Sequence, residues 1–106
     1  MIRNNITLIG NIGTSTQVTN FDNGQKVARF SLTTNKPSKS GNGGIKMEKE
    51  WHRIFAWGNL ASFIEEYAEK GKKVAIHGKL VNRNFLDSEG KKRSITEVEL
   101  KNIIGL

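Results

Sequence analysis

The segment from Glu50 to Gly58 carries the side chains whose types and spacing suggest chemistry most directly. Side chains alternate between the two faces of a strand, so a strand here would place four of them on one face: Trp51, Arg53, Phe55 and Trp57. Aromatic rings beside a guanidinium can stack unpaired nucleobases while the cation contacts phosphate. The alternative interpretation places both tryptophans in the core and lets Arg53 extend to solvent. This segment alone favours neither interpretation.

The charge balance of the chain favours a polyanionic partner. Its 106 residues contain 17 Lys and Arg against 10 Asp and Glu, which gives a formal net charge of +7. The sequence has no cysteine, which excludes disulfides, thiolate metal ligands and cysteine nucleophiles. The length predicts a single domain over residues 1–106. Since we find neither a membrane-spanning run nor a signal peptide, we expect a cytoplasmic protein without a membrane partner.

The histidines and glycines do not form a catalytic motif. His52 and His77 lack a second ligand at metal-binding spacing. Gly10 and Gly13 follow a predicted strand, but the Lys and Ser/Thr of a phosphate-binding loop are missing and no helix follows. We therefore expect no enzymatic activity, no cofactor and no metal site.

Five strands are predicted to position the aromatic and basic side chains. Apolar–polar alternation and turn signals such as Asn23-Gly24 define them. In chain order they are Asn4–Asn11, Gln25–Asn35, about Met47–Trp57, Lys72–Phe85 and Lys91–Ile104. Gly10 and Gly13 indicate a bend in a long first strand. On the second strand the pattern turns three residues inward: Ala28, Phe30 and Leu32.

The segment Lys36–Lys46 is predicted to be a flexible loop, because Gly, Ser, Asn and Pro dominate it. It carries Lys36, Lys39 and Lys46 and no acidic residue. Such a loop is typical of a solvated hairpin tip. Beside an aromatic strand it is nearly as typical of a mobile clamp on nucleic acid.

One helix is predicted after the third strand. Asn59 is a suitable N-cap and Gly71 a suitable C-cap. Apolar residues at helical spacing predict a core stripe, which consists of Leu60, Phe63, Ile64 and Tyr67. We expect this helix to close one end of the fold and to carry no chemistry.

The fourth strand separates into an apolar and a basic face. The apolar face contains Val74, Ile76, Gly78 and Leu80. The other face ends in an aromatic residue and contains Lys73, His77, Lys79, Arg83 and Phe85. The overall order is β-β-β-α-β-β, which predicts an all-β protein with one helix, a five-stranded oligonucleotide/oligosaccharide-binding (OB) barrel. The exposed sheet face of such a barrel binds nucleic-acid strands.

Blocks along nearly the whole chain resemble bacterial single-stranded DNA-binding proteins. These blocks are Leu8–Gly13, Val27–Asn35, Glu50–Arg53, Trp57–Ala61, Lys70–Gly71, Gly78–Leu80 and Thr96–Val98. The resemblance implies an OB barrel that binds single-stranded DNA during replication, repair and recombination, with neither cofactor nor catalysis. It also implies a homo-oligomer, with a tetramer favoured and a dimer possible.

The resemblance implies roles for particular residues. Trp51, Trp57 and Phe85 match the base-stacking aromatics of the family, and Lys70 matches a lysine near the bound strand. His52 matches a histidine at a subunit interface, and the part of the first strand through which subunits pair includes Ile9, Gly10 and Asn11. Further phosphate contacts are expected from the stacking strand, the fourth strand and the basic loop, namely Arg53, Lys73, Lys79, Arg83, Lys36 and Lys39.

Two departures from the family pattern bear on function. The loop after Asn35 lacks a further tryptophan found in some members, and Ser38 lies near that position. Family members usually continue into a linker and an acidic tail that recruits enzymes, whereas this sequence stops at Leu106. We therefore expect a chain without that tail, either trimmed or naturally tailless, and partners recruited through it are doubtful.

Two rival interpretations stay open from the sequence. One is a primosomal-type accessory protein with an OB fold, which acts mainly through protein contacts and binds single strands weakly. The other is an RNA-binding barrel, because stacking barely distinguishes the two sugars.

Overall fold

Strands dominate the computed structural model, which describes residues 4–106. The elements in chain order are β1 (Ile6–Ile12), β2 (Gln17–Asn20), β3 (Lys26–Lys39), β4 (Ile45–Trp57), α1 (Gly58–Tyr67), β5 (Lys73–Leu86) and β6 (Lys92–Gly105). A break over residues 13–16 separates β1 from β2, and both pair with β3. The two short strands therefore occupy the place of the single bent first strand predicted from the sequence. Residues 1–3 of the predicted domain lie outside the described residues.

The sheet closes on itself into a barrel. Its strand order is β1-β5-β6-β4-β3-β2, and an additional pairing joins β1 to β3 at Asn11↔Thr33 and Ile12↔Leu32. All pairings are antiparallel except the short parallel contact of β4 with β6 at Ile54↔Val98 and its neighbour. Closure removes most sheet edges. The OB barrel predicted from the element order is confirmed.

The closure between β1 and β3 depends on a missing side chain at Gly10. A Cβ atom at this position would lie 2.1 Å from the carbonyl oxygen of Thr33, closer than any real contact allows. Thr33 Oγ1 donates a hydrogen bond of 3.1 Å to the Asn11 carbonyl, which fixes the same approach. Gly10 therefore has a structural role within the chain.

The core fills the barrel interior with inward residues from the strands and the helix. Its largest fully buried side chains are Ile12, Leu32, Ile54, Ile64, Val74 and Ile76. The inward positions predicted on the second strand are also buried, with Ala28 and Leu32 completely inaccessible and Phe30 nearly so. Burial of this apolar surface is the main favourable contribution to folding.

The helix α1 packs on the barrel through a narrower face than its sequence predicted. Ala61 and Ile64 are fully buried, whereas Phe63 is 47% exposed and stacks on Tyr67 with ring centroids 5.0 Å apart. The prediction that Phe63 belongs to the core is wrong. Apolar spacing marks a helix face, but this ten-residue helix covers only the end of the barrel, which is too small to accept every residue of the stripe.

The predicted caps of the helix are also wrong. The helix begins at Gly58 directly after β4, with Trp57 at the N-cap position and no side-chain cap. Gly58 has φ +64°, which allows the sharp turn from strand to helix without a linker residue such as Asn59. At the other end Ala68 is the C-cap, and Gly71 lies three residues later in the turn before β5.

The segment predicted to be a flexible loop is mostly paired strand, so that prediction is wrong. β3 and β4 continue as a ladder to Lys39↔Ile45, and only residues 40–44 form the turn. We call residues 35–49 the finger. An ion pair of 3.4 Å joins Lys36 to Glu50 across its base. The glycines that suggested flexibility are confined to the turn, and the residues before it stay extended because β3 pairs with β4 along this length.

The β5–β6 hairpin also extends beyond the core. Val74, Ile76 and Gly78 are buried as predicted, but Leu80 is 45% exposed, which contradicts its placement on the buried face. Leu80 lies past the last core residue of β5, where the hairpin projects from the barrel and no longer faces the interior.

We expect Gly10→Ala to lower the free energy of unfolding by at least about 1–3 kcal/mol, because the new methyl overlaps the backbone of β3. Denaturant-induced unfolding would measure this change. Gly41→Ala is the matched control, since nothing lies within 4 Å of its Cβ position, and it should change stability by less than about 0.5 kcal/mol. Equal stability of both variants would contradict the close approach.

Candidate nucleic-acid interface

The three rings predicted to stack bases all lie on the surface. Trp51 is 58% exposed, Trp57 43% and Phe85 49%. Exposed aromatic rings cost hydrophobic free energy unless a partner covers them. The alternative interpretation, in which both tryptophans belong to the core, is therefore wrong.

Trp51 is held against the break between β1 and β2. A Cβ atom at Gly13 would lie 2.6 Å from Cζ3 of the Trp51 ring and 2.8 Å from Cγ2 of Thr33. Thr33 is also the cross-strand partner of Trp51. Gly13 thus leaves the space that the tryptophan ring occupies, which gives the ring a defined position on the barrel surface.

Trp57 has an aromatic neighbour that the sequence reasoning did not select. Its ring stacks on Phe21 with centroids 6.0 Å apart and an interplanar angle of 29°. Phe21 is 44% exposed and precedes the turn that leads into β3. The sequence did contain a signal for this contact. Phe21 directly precedes the polar turn residues Asp22-Asn23-Gly24, where an apolar ring is unfavourable unless another side chain covers it.

Phe55 lies on the same face of β4 but is not available to a ligand. It is only 7% exposed, and the guanidinium carbon of Arg29 lies 5.4 Å from its ring centroid. This contact is a cation–π interaction. The face of β4 therefore presents two exposed rings, Trp51 and Trp57, with a covered ring between Arg53 and Trp57.

A groove lined by β3, β4, β5 and β6 contains three arginines and one carboxylate. We call it the central groove, and its charged lining residues are Arg29, Arg53, Arg83 and Glu97. The Glu97 side chain is 4% exposed and forms ion pairs with Arg29 at 2.5 Å and with Arg83 at 2.8 Å. Arg29 and Glu97 were not among the predicted site residues. Only the outward position of Arg29 in β3 could have suggested it.

A second groove continues from the central groove toward the tip of the β5–β6 hairpin. We call it the hairpin groove, and its lining includes Arg53, Phe85, Asp87 and Arg93. Arg53 lines both grooves, so they meet at this side chain. Arg93 was also missed by the sequence reasoning. Its Nε lies 2.9 Å from Oδ2 of Asp87.

The ion pair in the hairpin groove lowers the pKa of Asp87. The hydrogen bond from the Arg93 side chain is the main cause, and the backbone N–H groups of Lys91 and Glu89 contribute in the same direction. All three donors stabilise the charged carboxylate. Asp87 is therefore ionised at neutral pH and fixes the position of Arg93.

The structure divides the predicted phosphate contacts into two groups. Arg53 lines both grooves and Arg83 lines the central groove, whereas neither groove is lined by any of the five predicted lysines: Lys36, Lys39, Lys70, Lys73 and Lys79. Lys36 and Lys39 lie on the finger, and Lys70 lies in the turn after the helix. Lys73 and Lys79 are exposed on β5, where Lys79 is 3.9 Å from Glu99. Phosphate contacts from these lysines stay a prediction.

The predicted interface residues have different surroundings. Gly10 is buried at the barrel closure, the Asn11 side chain donates to the Gly71 carbonyl at 3.1 Å, and His52 Nε2 is 2.9 Å from Thr34 Oγ1. Ile9, in contrast, is 57% exposed. The first three residues thus have roles within the chain, and a role in assembly stays a prediction for all four.

The described residues were also searched for other kinds of site. No group of three His, Cys, Asp or Glu side chains in residues 4–106 is arranged to hold a metal ion. The single helix in this range is not long and apolar enough to cross a membrane.

A closed barrel with exposed rings and arginine-lined grooves on one side defines the class of nucleic-acid-binding OB proteins. The family described as Single-strand binding protein family matches residues 3–105. The chain belongs to this family.

Curated relatives carry the same description. The chain is 38% identical over 96 residues to Single-stranded DNA-binding protein 1 of Chlorobaculum tepidum, covering 90% of this chain and 59% of the relative. It is 39% identical over 102 residues to Single-stranded DNA-binding protein of Bacteroides thetaiotaomicron, covering 94% and 63%. It is 36% identical over 99 residues to Single-stranded DNA-binding protein 1 of Xylella fastidiosa, covering 92% of this chain and 73% of the relative. The chain thus spans about three fifths of the first two relatives. These descriptions do not favour the accessory-protein interpretation.

Solved structures share the fold. The Plasmodium falciparum SSB in complex with ssDNA matches with a TM-score of 0.85 and 33% identity, covering 100% of this chain and 96% of that one. A deletion mutant of the single-stranded DNA binding protein from Thermus aquaticus matches with a TM-score of 0.81 and 22% identity, covering 98% of this chain and 50% of that one. This second likeness concerns the fold alone.

We expect Arg93→Gln to raise the pKa of Asp87 toward its ordinary value, because the largest stabilising contact is lost while the backbone donors remain. An NMR titration of the side-chain carboxyl carbon would measure it. With the pKa lowered in the folded protein, the stabilising contribution of this pair is present at neutral pH and is lost as the pH falls through the lowered pKa. Lys92→Gln removes an equal charge without breaking the pair. A pKa that both variants leave unchanged would contradict this assignment.

Proposed function

We propose that the chain binds single-stranded DNA without sequence preference, by stacking bases on exposed rings and contacting phosphates with arginines. The observation that carries this proposal is the exposure of Trp51, Trp57 and Phe85 on a barrel whose grooves contain Arg53 and Arg83, with Phe85 lining the hairpin groove. Trp51, Arg53 and Trp57 lie at alternate positions of β4, so rings that could stack bases and a guanidinium that could contact phosphate share one face of this strand. The proposal is therefore a binding function and not a catalytic one.

The energetic argument separates single strands from duplexes. Each base–ring stack contributes roughly 1–3 kcal/mol and depends little on base identity. Phosphate contacts add a salt-dependent contribution of about 0.7 in log K per log unit of salt for each phosphate neutralised. Base faces in a duplex are already stacked on each other, so the exposed rings gain nothing from it. Selectivity for single strands follows from this difference.

The relatives support DNA as the ligand and suggest the cellular role. The Plasmodium falciparum relative was solved with ssDNA, and it covers this chain entirely. By analogy with the family, the proposed role is coating of single strands in replication, repair and recombination, in the cytoplasm at the nucleoid. Recruitment of other enzymes through a tail is not part of this proposal.

Fluorescence titration with oligothymidine and with a matched duplex tests the binding proposal. We expect quenching of tryptophan fluorescence by the single strand only, persisting at high salt, because stacking does not depend on counterions. Phe85→Ala should weaken binding by at least about 1 kcal/mol, and Trp51→Ala or Trp57→Ala should do the same in a competition assay, with the fold retained by circular dichroism.

The matched control for Phe85→Ala is Phe63→Ala on the helix. The two phenylalanines are 49% and 47% exposed, but only Phe85 lines a groove. Phe63→Ala should leave the affinity unchanged. Equal loss in both variants, or equal quenching by duplex and single strand, would remove the proposal.

We also propose that the chain forms a homo-oligomer, with a tetramer favoured and a dimer possible. On β1, Ile6–Gly10 pairs with β5 at one edge, and its other edge has no strand partner in residues 4–106. The face beside that edge exposes an apolar row in register, Ile9, Ala75 and Ile104, of which both isoleucines are 57% exposed. An unpaired edge beside an apolar face supports pairing with a second copy.

We expect light scattering at micromolar concentration to give a multiple of the single-chain mass. Ile104→Asp should reduce that mass, because it places a charge in the apolar row. Ile45→Asp is the control, since Ile45 is 80% exposed and lies next to the turn of the finger, where it pairs with Lys39. A wild-type mass equal to one chain would remove the proposed assembly.

A further inference from the structure

Glu97 is a buried carboxylate in the wall of a groove that is proposed to bind a polyanion. Its side chain is 4% exposed, and its charge would repel a phosphate placed in the central groove. A buried charge persists only when its partners compensate for lost hydration. The position of Glu97 therefore calls for a role that outweighs the repulsion.

Two arginines from different strands supply the compensation. Arg29 on β3 donates from Nη1 to Oε2 of Glu97, and its guanidinium also lies over the Phe55 ring. Arg83 on β5 places Nε 2.8 Å from Oε1. That oxygen has no hydrogen bond of normal geometry from any described residue, so the ion pair with Arg83 is its compensation.

The contact with Arg83 determines which part of the guanidinium remains for a ligand. Glu97 approaches Arg83 at Nε, and among residues 4–106 no second carboxylate pairs with its terminal nitrogens. The Arg83 side chain is 52% exposed, so these nitrogens can reach solvent in the groove. Two parallel N–H donors on one planar group match two oxygens of a phosphate. Arg93 also meets a carboxylate at Nε, where it donates a hydrogen bond of 2.9 Å to Oδ2 of Asp87.

We propose that Glu97 is a positioning residue, which holds Arg83 so that its two terminal nitrogens bind one backbone phosphate of the DNA strand, with Arg29 fixed beside it. This inference rests on the proposed binding of single-stranded DNA. Pre-alignment matters because an unrestrained arginine has many rotamers, of which few present both donors to one phosphate.

Glu97→Gln separates positioning from simple charge. The substitution preserves the side-chain volume and adds one net positive charge to the groove. If Glu97 only subtracted charge, this variant would bind single-stranded DNA more tightly. Positioning predicts the opposite sign, because Arg83 loses the ion pair that orients it.

The experiment is an oligothymidine titration of the full chain at several salt concentrations. We expect Glu97→Gln to weaken binding about threefold to tenfold, which corresponds to about 1 kcal/mol near the middle of that range. The slope of log K against log salt should become shallower by about 0.7, because one phosphate contact is lost. A merely structural effect would not remove one phosphate from the slope.

Glu99→Gln is the matched control. It makes the same charge change two residues along β6, where Glu99 pairs with Lys79 and Lys101 and lines neither groove. It should leave binding unchanged or slightly tighter. Glu97→Gln binding as tightly as wild type, with an unchanged slope, would overturn the positioning role.

Arg83→Lys tests the same proposal with Glu97 intact. It keeps the charge but replaces the fork by a single ammonium, so we expect it to bind as weakly as Arg83→Gln. Wild-type affinity in Arg83→Lys would overturn the proposal even if Glu97→Gln failed to fold. Failure of the wild-type chain to bind oligothymidine would overturn the proposed function itself, whereas tight wild-type binding with unaffected variants overturns only the positioning role.

Discussion

The contact of β1 with β3 at Gly10 is the constraint on which the rest of the structure depends. It closes the sheet, and it is possible only because the Thr33 carbonyl meets a residue without a side chain. The same closure brings the break after β1 next to β4, where Gly13 leaves room for the Trp51 ring. The exposed ring of Trp51 is thereby fixed by the backbone geometry of the barrel. The packing of the fold and the placement of its exposed aromatic surface are consequences of one close approach.

The charged side chains of the central groove also depend on shared neighbours. Glu97 joins an arginine from β3 to one from β5, and these strands lie on opposite sides of β6 and β4 in the sheet order. Arg29 in turn covers Phe55, which separates the exposed Trp57 from the rest of its strand face. Four side chains therefore form a connected set of contacts at the central groove: Arg83, Glu97, Arg29 and Phe55. Because neighbouring groups couple energetically, the groove behaves as one unit.

The sequence predicted the inward positions that follow from the alternation of side chains along a strand. It did not predict the contacts that depend on how distant segments pack together. Ala28, Phe30 and Leu32 are inward because a strand repeats every two residues, which any reader of the chain can count. Residues 36–46 were predicted to be a loop from their overall composition, although their three glycines, Gly41, Gly43 and Gly44, all lie in the turn of residues 40–44. Arg29 and Glu97 are 68 residues apart, so no spacing rule connects them. The same holds for Phe63, whose exposure depends on the width of the barrel end.

The finger carries a thermodynamic consequence for association. Fixing one residue of a mobile loop costs roughly 1–2 kcal/mol in conformational entropy. In this chain the segment Lys36–Lys39 is already ordered by pairing with β4, and only residues 40–44 lie outside the ladder. Most of the conformational entropy of the finger is therefore lost when the protein folds and not when a ligand binds. In the proposed binding of single-stranded DNA, the loss of conformational freedom therefore falls mainly on the flexible DNA strand, and the conformational part of the binding entropy should report mainly on that strand.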